Sequence, residues 1–241
     1  MSRTRTTTDR PQNPAKLFLR WDSGEGTWGH WDKEAKKLVT IPVNTPFIYL
    51  DALMTATGYS DDLQAGIYAN EVRSVNNTLR VMAGKKEIAE GNWAQVKAKN
   101  TGAKFATSLY ALAKIDGEYM LVNFKLSGCS LTPWIDFEGS VGKQTLEGGI
   151  AVGVTKVEDR KKGKVEFRAP VFGVVSTVIS DDADAKAFSA DETLQSYLDK
   201  YFDYNKGIVH SVEPHEEPAH AEPAPIEPEM VDEPTDENMP F

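Results

Sequence analysis

Between Lys16 and Ile179 the chain repeats one device: short runs of β-branched, aromatic and alternating apolar residues, broken by Gly, Asn and Asp. The runs are KLFLRW, KLVTIPV, NTLRVMA, WAQVKAK, FATSLYALAKI, YMLVNFKLSG, GGIAVGVTKVE, KVEFRAP and VFGVVSTVI. Strands at such intervals close on themselves or pair into layers, so the expected class is mainly β, a barrel or a sandwich. Asp116-Gly117 between two apolar runs signals a hairpin, and Arg160-Lys161-Lys162-Gly163 reads as a basic hairpin loop.

Two stretches read as helices. FIYLDALMTAT, residues 47–57, precedes Gly58, a plausible stop. Ser189-Ala190-Asp191-Glu192 has the form of a capping box, and Leu194, Tyr197, Leu198, Tyr201 and Phe202 follow at helical spacing. That helix is expected to close the domain by laying one face on the strands. DDLQAGIYANEVRS, from Asp61, carries no assignable pattern.

Both ends differ from this middle. Residues 1–14 hold Arg3, Arg5 and Arg10 against Asp9, with Pro11 and Pro14, and read as a basic arm. Residues 15–206 form the expected folded domain, and 207–241 a disordered, Pro-rich acidic tail. Residues 1–210 carry 27 basic side chains against 26 acids, a net charge of +1, while 211–241 hold ten acids and no Lys or Arg. The overall charge of −9 therefore describes the tail and does not argue against a polyanionic partner for the domain.

Enzyme signatures fail one by one, and the chain is expected not to be an enzyme and to need no cofactor or metal. Gly142-Lys143 resembles the end of a P-loop, but Phe137 and Gln144 stand where Gly and Ser or Thr belong. His30 is the one histidine inside the expected domain. DDADAKAFSADE lacks the glycine of a calcium loop. Asp22, Glu25 and Asp32 could gather a divalent ion, as a metal-dependent nuclease would require, but read more simply as turn residues. A single cysteine, Cys129, excludes an internal disulfide and reads as a small core residue in a reducing, cytoplasmic setting. No apolar run reaches membrane-spanning length.

Aromatic and basic residues interleave, and this is the positive signal. Trp21, Trp28 and Trp31 surround a Gly-rich turn and lead to Lys33, Lys36 and Lys37. Lys85 and Lys86 lead to Trp93, Lys97, Lys99, Lys104 and Phe105. Read as a strand, WAQVKAK projects Trp93, Lys97 and Lys99 from one face. Arg73 and Arg80 complete the expected set. Cations track phosphates and flat rings stack on bases, for roughly 1–3 kcal/mol per base, so the combination suits single-stranded nucleic acid. A structural or adaptor protein with a solubilising tail is the reading of another class.

A β-rich domain, an acidic Pro-rich tail and a final Pro-Phe together resemble single-stranded DNA-binding proteins of the oligonucleotide-binding (OB) fold, particularly those of tailed bacteriophages. Pro240 and Phe241 match that family's terminal pair, Met239 its aliphatic position, and Asp236 and Glu237 its acids; Asn238 departs from the pattern. The resemblance implies an OB-type closed or partly open barrel that protects single-stranded DNA in replication, recombination and repair. It also implies recruitment, through Asp236, Glu237, Met239, Pro240 and Phe241, of a polymerase, primase-helicase, nuclease or recombinase in the host-cell cytoplasm. It admits a homo-oligomer.

Overall fold

The computed structural model describes residues 11–32 and 35–209. Eleven strands form one mixed sheet: β1 (Leu17–Asp22), β2 (Thr27–Asp32), β3 (Lys37–Ile41), β4 (Phe47–Ser60), β5 (Ala65–Ala69), β6 (Leu79–Ala83), β7 (Lys86–Gly91), β8 (Ala103–Ile115), β9 (Glu118–Ser127), β10 (Ala151–Lys162) and β11 (Val165–Ser176). Four helices accompany them: α1 (Trp93–Ala98), α2 (Leu131–Val141), α3 (Lys143–Glu147) and α4 (Asp181–Val209). The strand order is β3-β2-β1-β9-β8-β4-β5-β6-β7, with the β10–β11 hairpin joined to the start of β4. The path is open, since β3 and β7 do not pair. All pairings are antiparallel except β1 with β9.

Packing on both faces of the sheet follows from the alternation of side chains along these strands. On the inner face, Leu19, Trp28, Phe47, Leu109 and Phe124 meet Trp134 and Phe137 of α2 and Phe172 of β11. Trp28, Phe124, Phe47 and Trp134 form a chain of ring contacts with centroids 4.7–6.1 Å apart. Farther along the sheet, Ala56, Ile67, Leu79 and Val81 enclose Val96 of α1. The opposite face carries α4: Ala183 and Ala187 rest on Ile48 and Leu112, while Leu194, Tyr197, Leu198 and Tyr201 cover Leu53, Tyr110 and Leu121.

The expected closing helix is therefore present and buries the expected residues, but it begins earlier. Ser180 Oγ accepts from the amide of Ala183, and Asp181, Asp182 and Asp184 occupy the first turn, where their charge complements the helix dipole. Ser189 and Glu192 lie inside the helix, so the capping-box reading marks no boundary.

Residues 47–57, expected as a helix, belong to the central strand β4. It pairs with β8, β5 and β10 and is buried on both sides along most of its length. Burial on both faces erases the apolar-polar alternation, and a run of large apolar residues then passes for a helix. Gly58 is not a helix stop. A Cβ there would lie 2.4 Å from the carbonyl oxygen of Gly102, so the close approach of β4 to the chain entering β8 requires glycine. Gly58→Ala is expected to cost about 3 kcal/mol, an overpacking penalty read as a lower urea midpoint at unchanged slope.

WAQVKAK is the reverse error, a helix expected as a strand. Asn92 Oδ1 accepts from the amide of Gln95, and Gln95 Oε1 accepts from that of Asn92, a capping box that opens α1. The unassigned stretch after Asp61 supplies β5. Residues 13–15, at the junction of the expected arm and domain, are tied to the fold: Asn13 Nδ2 donates to Tyr110 Oη at 2.7 Å and Ala15 is buried beneath α4. Among the described residues no helix is long and apolar enough to cross a membrane.

Candidate nucleic-acid interface

Register assigns every strand residue to one face, and the α4 face carries an aromatic and cationic row beyond the helix. Leu17, Leu19 and Trp21 of β1 point into the core, so Phe18 and Arg20 point outward. Across the parallel seam Phe18 faces Asn123 and Arg20 faces Lys125; across β8–β9 Lys125 faces Ser108. Trp31 shares this face on β2, as do Lys104 on β8, Tyr59 on β4 and Tyr68 on β5. Six adjacent strands, β2-β1-β9-β8-β4-β5, thus each contribute a ring or a cation. Across the strands these residues span roughly 24 Å, and they lie on a diagonal, Lys104 being four residues along β8 from Ser108, past buried Ala106. Phe18, Trp31, Tyr59 and Tyr68 are 49%, 62%, 51% and 53% exposed, so their rings are open to a ligand.

The charges are arranged at a cost. Arg20 and Lys125 are direct neighbours of like charge, an unfavourable pairing on a sheet. Lys125 is half-buried, and its Nζ donates to a neutral partner, Ser108 Oγ, at 2.7 Å. Burial holds the Lys125 pKa below its ordinary value; Glu71 opposes that shift and Arg20 reinforces it. Glu71 itself is engaged, accepting from Tyr110 Oη at 2.8 Å. An anion bridging Arg20 and Lys125 would relieve both the repulsion and the lost solvation. Tyr68 is steadied by donation from its Oη to the carbonyl of Gly84 at 2.7 Å.

The residues expected from sequence separate into several groups. Trp31 and Lys104 lie on the row, and Lys36 and Lys37 are exposed in the β2–β3 turn and at the start of β3, beside it. Trp28 is corrected to a core residue, 2% exposed and edge-on to Phe124. Trp21 is half-buried; its ring meets Trp28 and its Nε1 donates to the carbonyl of Arg168, a clamp on the β10–β11 hairpin. Arg73 is committed to structure, its Nη1 bonding both oxygens of buried Asp51 and its guanidinium lying over the Phe202 ring. Arg80 shares the row's face but is paired with Glu87 at 2.7 Å.

Lys85 and Lys86 are exposed at the β6–β7 turn. The expected strand face of Trp93, Lys97 and Lys99 does not form: α1 turns Lys99 away as its cap, and Trp93 packs on Phe105 at 5.3 Å on the opposite side of the sheet. Trp93, Lys97 and Phe105 therefore cannot share a groove with Trp31. Lys33, Asp236, Glu237, Met239, Pro240 and Phe241 lie outside the described residues.

Asp22, Glu25 and Asp32 do not assemble an ion site. Asp22 Oδ1 accepts from the amides of Gly24 and Glu25, and Asp32 Oδ1 from that of Ala35, so the two carboxylates cap turns at opposite ends of β2. Cys129 is half-buried, its Sγ 3.5 Å from the carbonyl of Arg168, and burial pushes its thiol pKa up.

Phe18, Arg20, Tyr59, Tyr68 and Lys125 escaped sequence reasoning, although LFLRW and LVNFKLS carry a legible alternation that sets Phe18, Arg20, Asn123 and Lys125 apart from the core. No family model, curated protein or solved structure matches the chain.

Exposed and buried tryptophans should separate cleanly on mutation. Trp31→Ala is expected to leave thermal stability unchanged in a melting experiment. Trp28→Ala is expected to cost about 3–5 kcal/mol in stability.

Proposed function

We propose that this protein binds single-stranded DNA independently of sequence, along the α4 face of its sheet, and is not an enzyme. The observation that carries the reading is the row from Trp31 through Phe18, Arg20, Lys125 and Lys104 to Tyr59 and Tyr68, one residue or two from each of six adjacent strands. Rings supply stacking surfaces indifferent to base identity, and the three cations supply the phosphate term. We assign the sheet to the OB type; the parallel β1–β9 seam and the long central strand β4 support that assignment.

The acidic tail and its Asp236, Glu237, Met239, Pro240 and Phe241 tip, by resemblance, recruit replication or recombination proteins and compete with DNA for the same cations. Binding of oligo-dT to the full chain, measured by anisotropy beside a duplex of equal length, tests the reading. Tighter binding of the single strand, weakened by Trp31→Ala and not by removal of Lys97 and Lys99, is expected; equal binding of the duplex would overturn it.

A further inference from the structure

Asn123 is a second anomaly in the same place. It is 1% exposed, and neither its Oδ1 nor its Nδ2 has a hydrogen-bond partner. A buried carboxamide without partners is costly, and isosteric leucine would fill the same space without the penalty. Its neighbours on the face are Tyr110 across β8–β9 and Phe18 across the parallel seam. Two residues along β9, Lys125 stands opposite the exposed Arg20.

The orphan amide thus sits between a half-exposed ring and a cation pair of which Lys125 is desolvated. Those are three chemically different parts of one ligand class: a flat face, an edge bearing a donor beside an acceptor, and an anion.

We propose that Phe18, Asn123, Arg20 and Lys125 form a nucleotide subsite in which Asn123 hydrogen-bonds the edge of a base. The inference rests on the single-strand reading and extends it, since stacking and charge alone require no such contact. Every nucleobase offers a donor next to an acceptor, and a carboxamide answers both at once, so the contact detects the presence of a base without selecting its identity. The Phe18 ring, directly across the seam, supplies the stacking surface. The phosphate takes the Arg20 and Lys125 pair.

A chemical double-mutant cycle on the full chain tests this. Oligo-dT and an abasic strand of equal length are titrated against the wild type and Asn123→Leu. The substitution is expected to weaken oligo-dT binding at least about fivefold, the low end of a paired base contact, and to leave abasic binding unchanged. Its melting temperature should not fall. In the wild type the Asn123 Nδ2 proton resonances should shift on adding oligo-dT and stay in place with the abasic strand, a readout that survives failure of the variant to fold. Wild-type binding of oligo-dT with immobile Asn123 resonances, or an unchanged oligo-dT affinity in Asn123→Leu, overturns the subsite while leaving the single-strand reading intact. Failure of the wild type to bind oligo-dT overturns that reading itself.

Discussion

Arg20→Ala combined with Lys125→Met is expected to lower affinity for single-stranded DNA about a hundredfold while raising the melting temperature. The opposite signs are the point. Each cation loses a charge-assisted bond to phosphate, together worth roughly 3–6 kcal/mol, of which about 3 survives as net loss. The salt dependence should flatten as well, the slope of log affinity against log salt falling by roughly 1.4 for two single-strand phosphate contacts.

Stability moves the other way because the free protein bears the cost of the pair. Burial depresses the Lys125 pKa from its ordinary 10.5, so the folded state binds that proton less tightly than the unfolded chain does. The penalty is absent above 10.5, fully present below the depressed value, and removed at neutral pH by methionine. Wild-type stability should accordingly rise as pH climbs toward 10.5 by a component that the Lys125→Met protein lacks. A binding loss accompanied by destabilisation would instead mark Lys125 as structural.

Removal of residues 211–241 is expected to tighten single-strand binding about tenfold or more at low salt, an advantage that fades as salt rises. Helix α4 packs on the face that bears Arg20, Lys125 and Lys104, so the acidic segment follows in sequence an element held on that face. A flexible chain of that length spans roughly 30 Å, against a domain radius of gyration near 17 Å. Ten tethered carboxylates therefore reach the cations at an effective concentration of order millimolar. Debye screening weakens that competition with added salt, giving the fade. Equal affinity of full-length and shortened proteins in low salt would contradict the competition. Deleting Phe241 alone should leave DNA affinity unchanged, because the ring carries none of that charge.

Strand dominance and the closing helix were legible in the sequence because both rest on local pattern: alternation in β1 and in the second half of β9, and the 3–4 spacing from Leu194 to Tyr201. β4 and α1 were not, for opposite reasons. β4 is buried on both faces and loses its alternation, while α1 has six residues and is announced chiefly by Asn92 and Gln95.

Proximity in sequence does not place residues on one face of the sheet. Trp21, Trp28 and Trp31 lie within eleven residues, yet alternation sends Trp28 inward and Trp31 outward, and Trp21 is spent on Arg168. Arg73 and Arg80 look identical to Arg20 in composition. Only the fold reveals that the first two have carboxylate partners, whereas Arg20 faces another cation.

On the proposed reading the α4 face holds a single strand by charge and stacking. Titration of the full chain with oligo-dT at increasing salt, followed by intrinsic tryptophan fluorescence, addresses both components together. The account predicts quenching that is lost in Trp31→Phe, and a linear fall of log affinity with log salt. Absence of quenching and of any salt-dependent association with oligo-dT would contradict it.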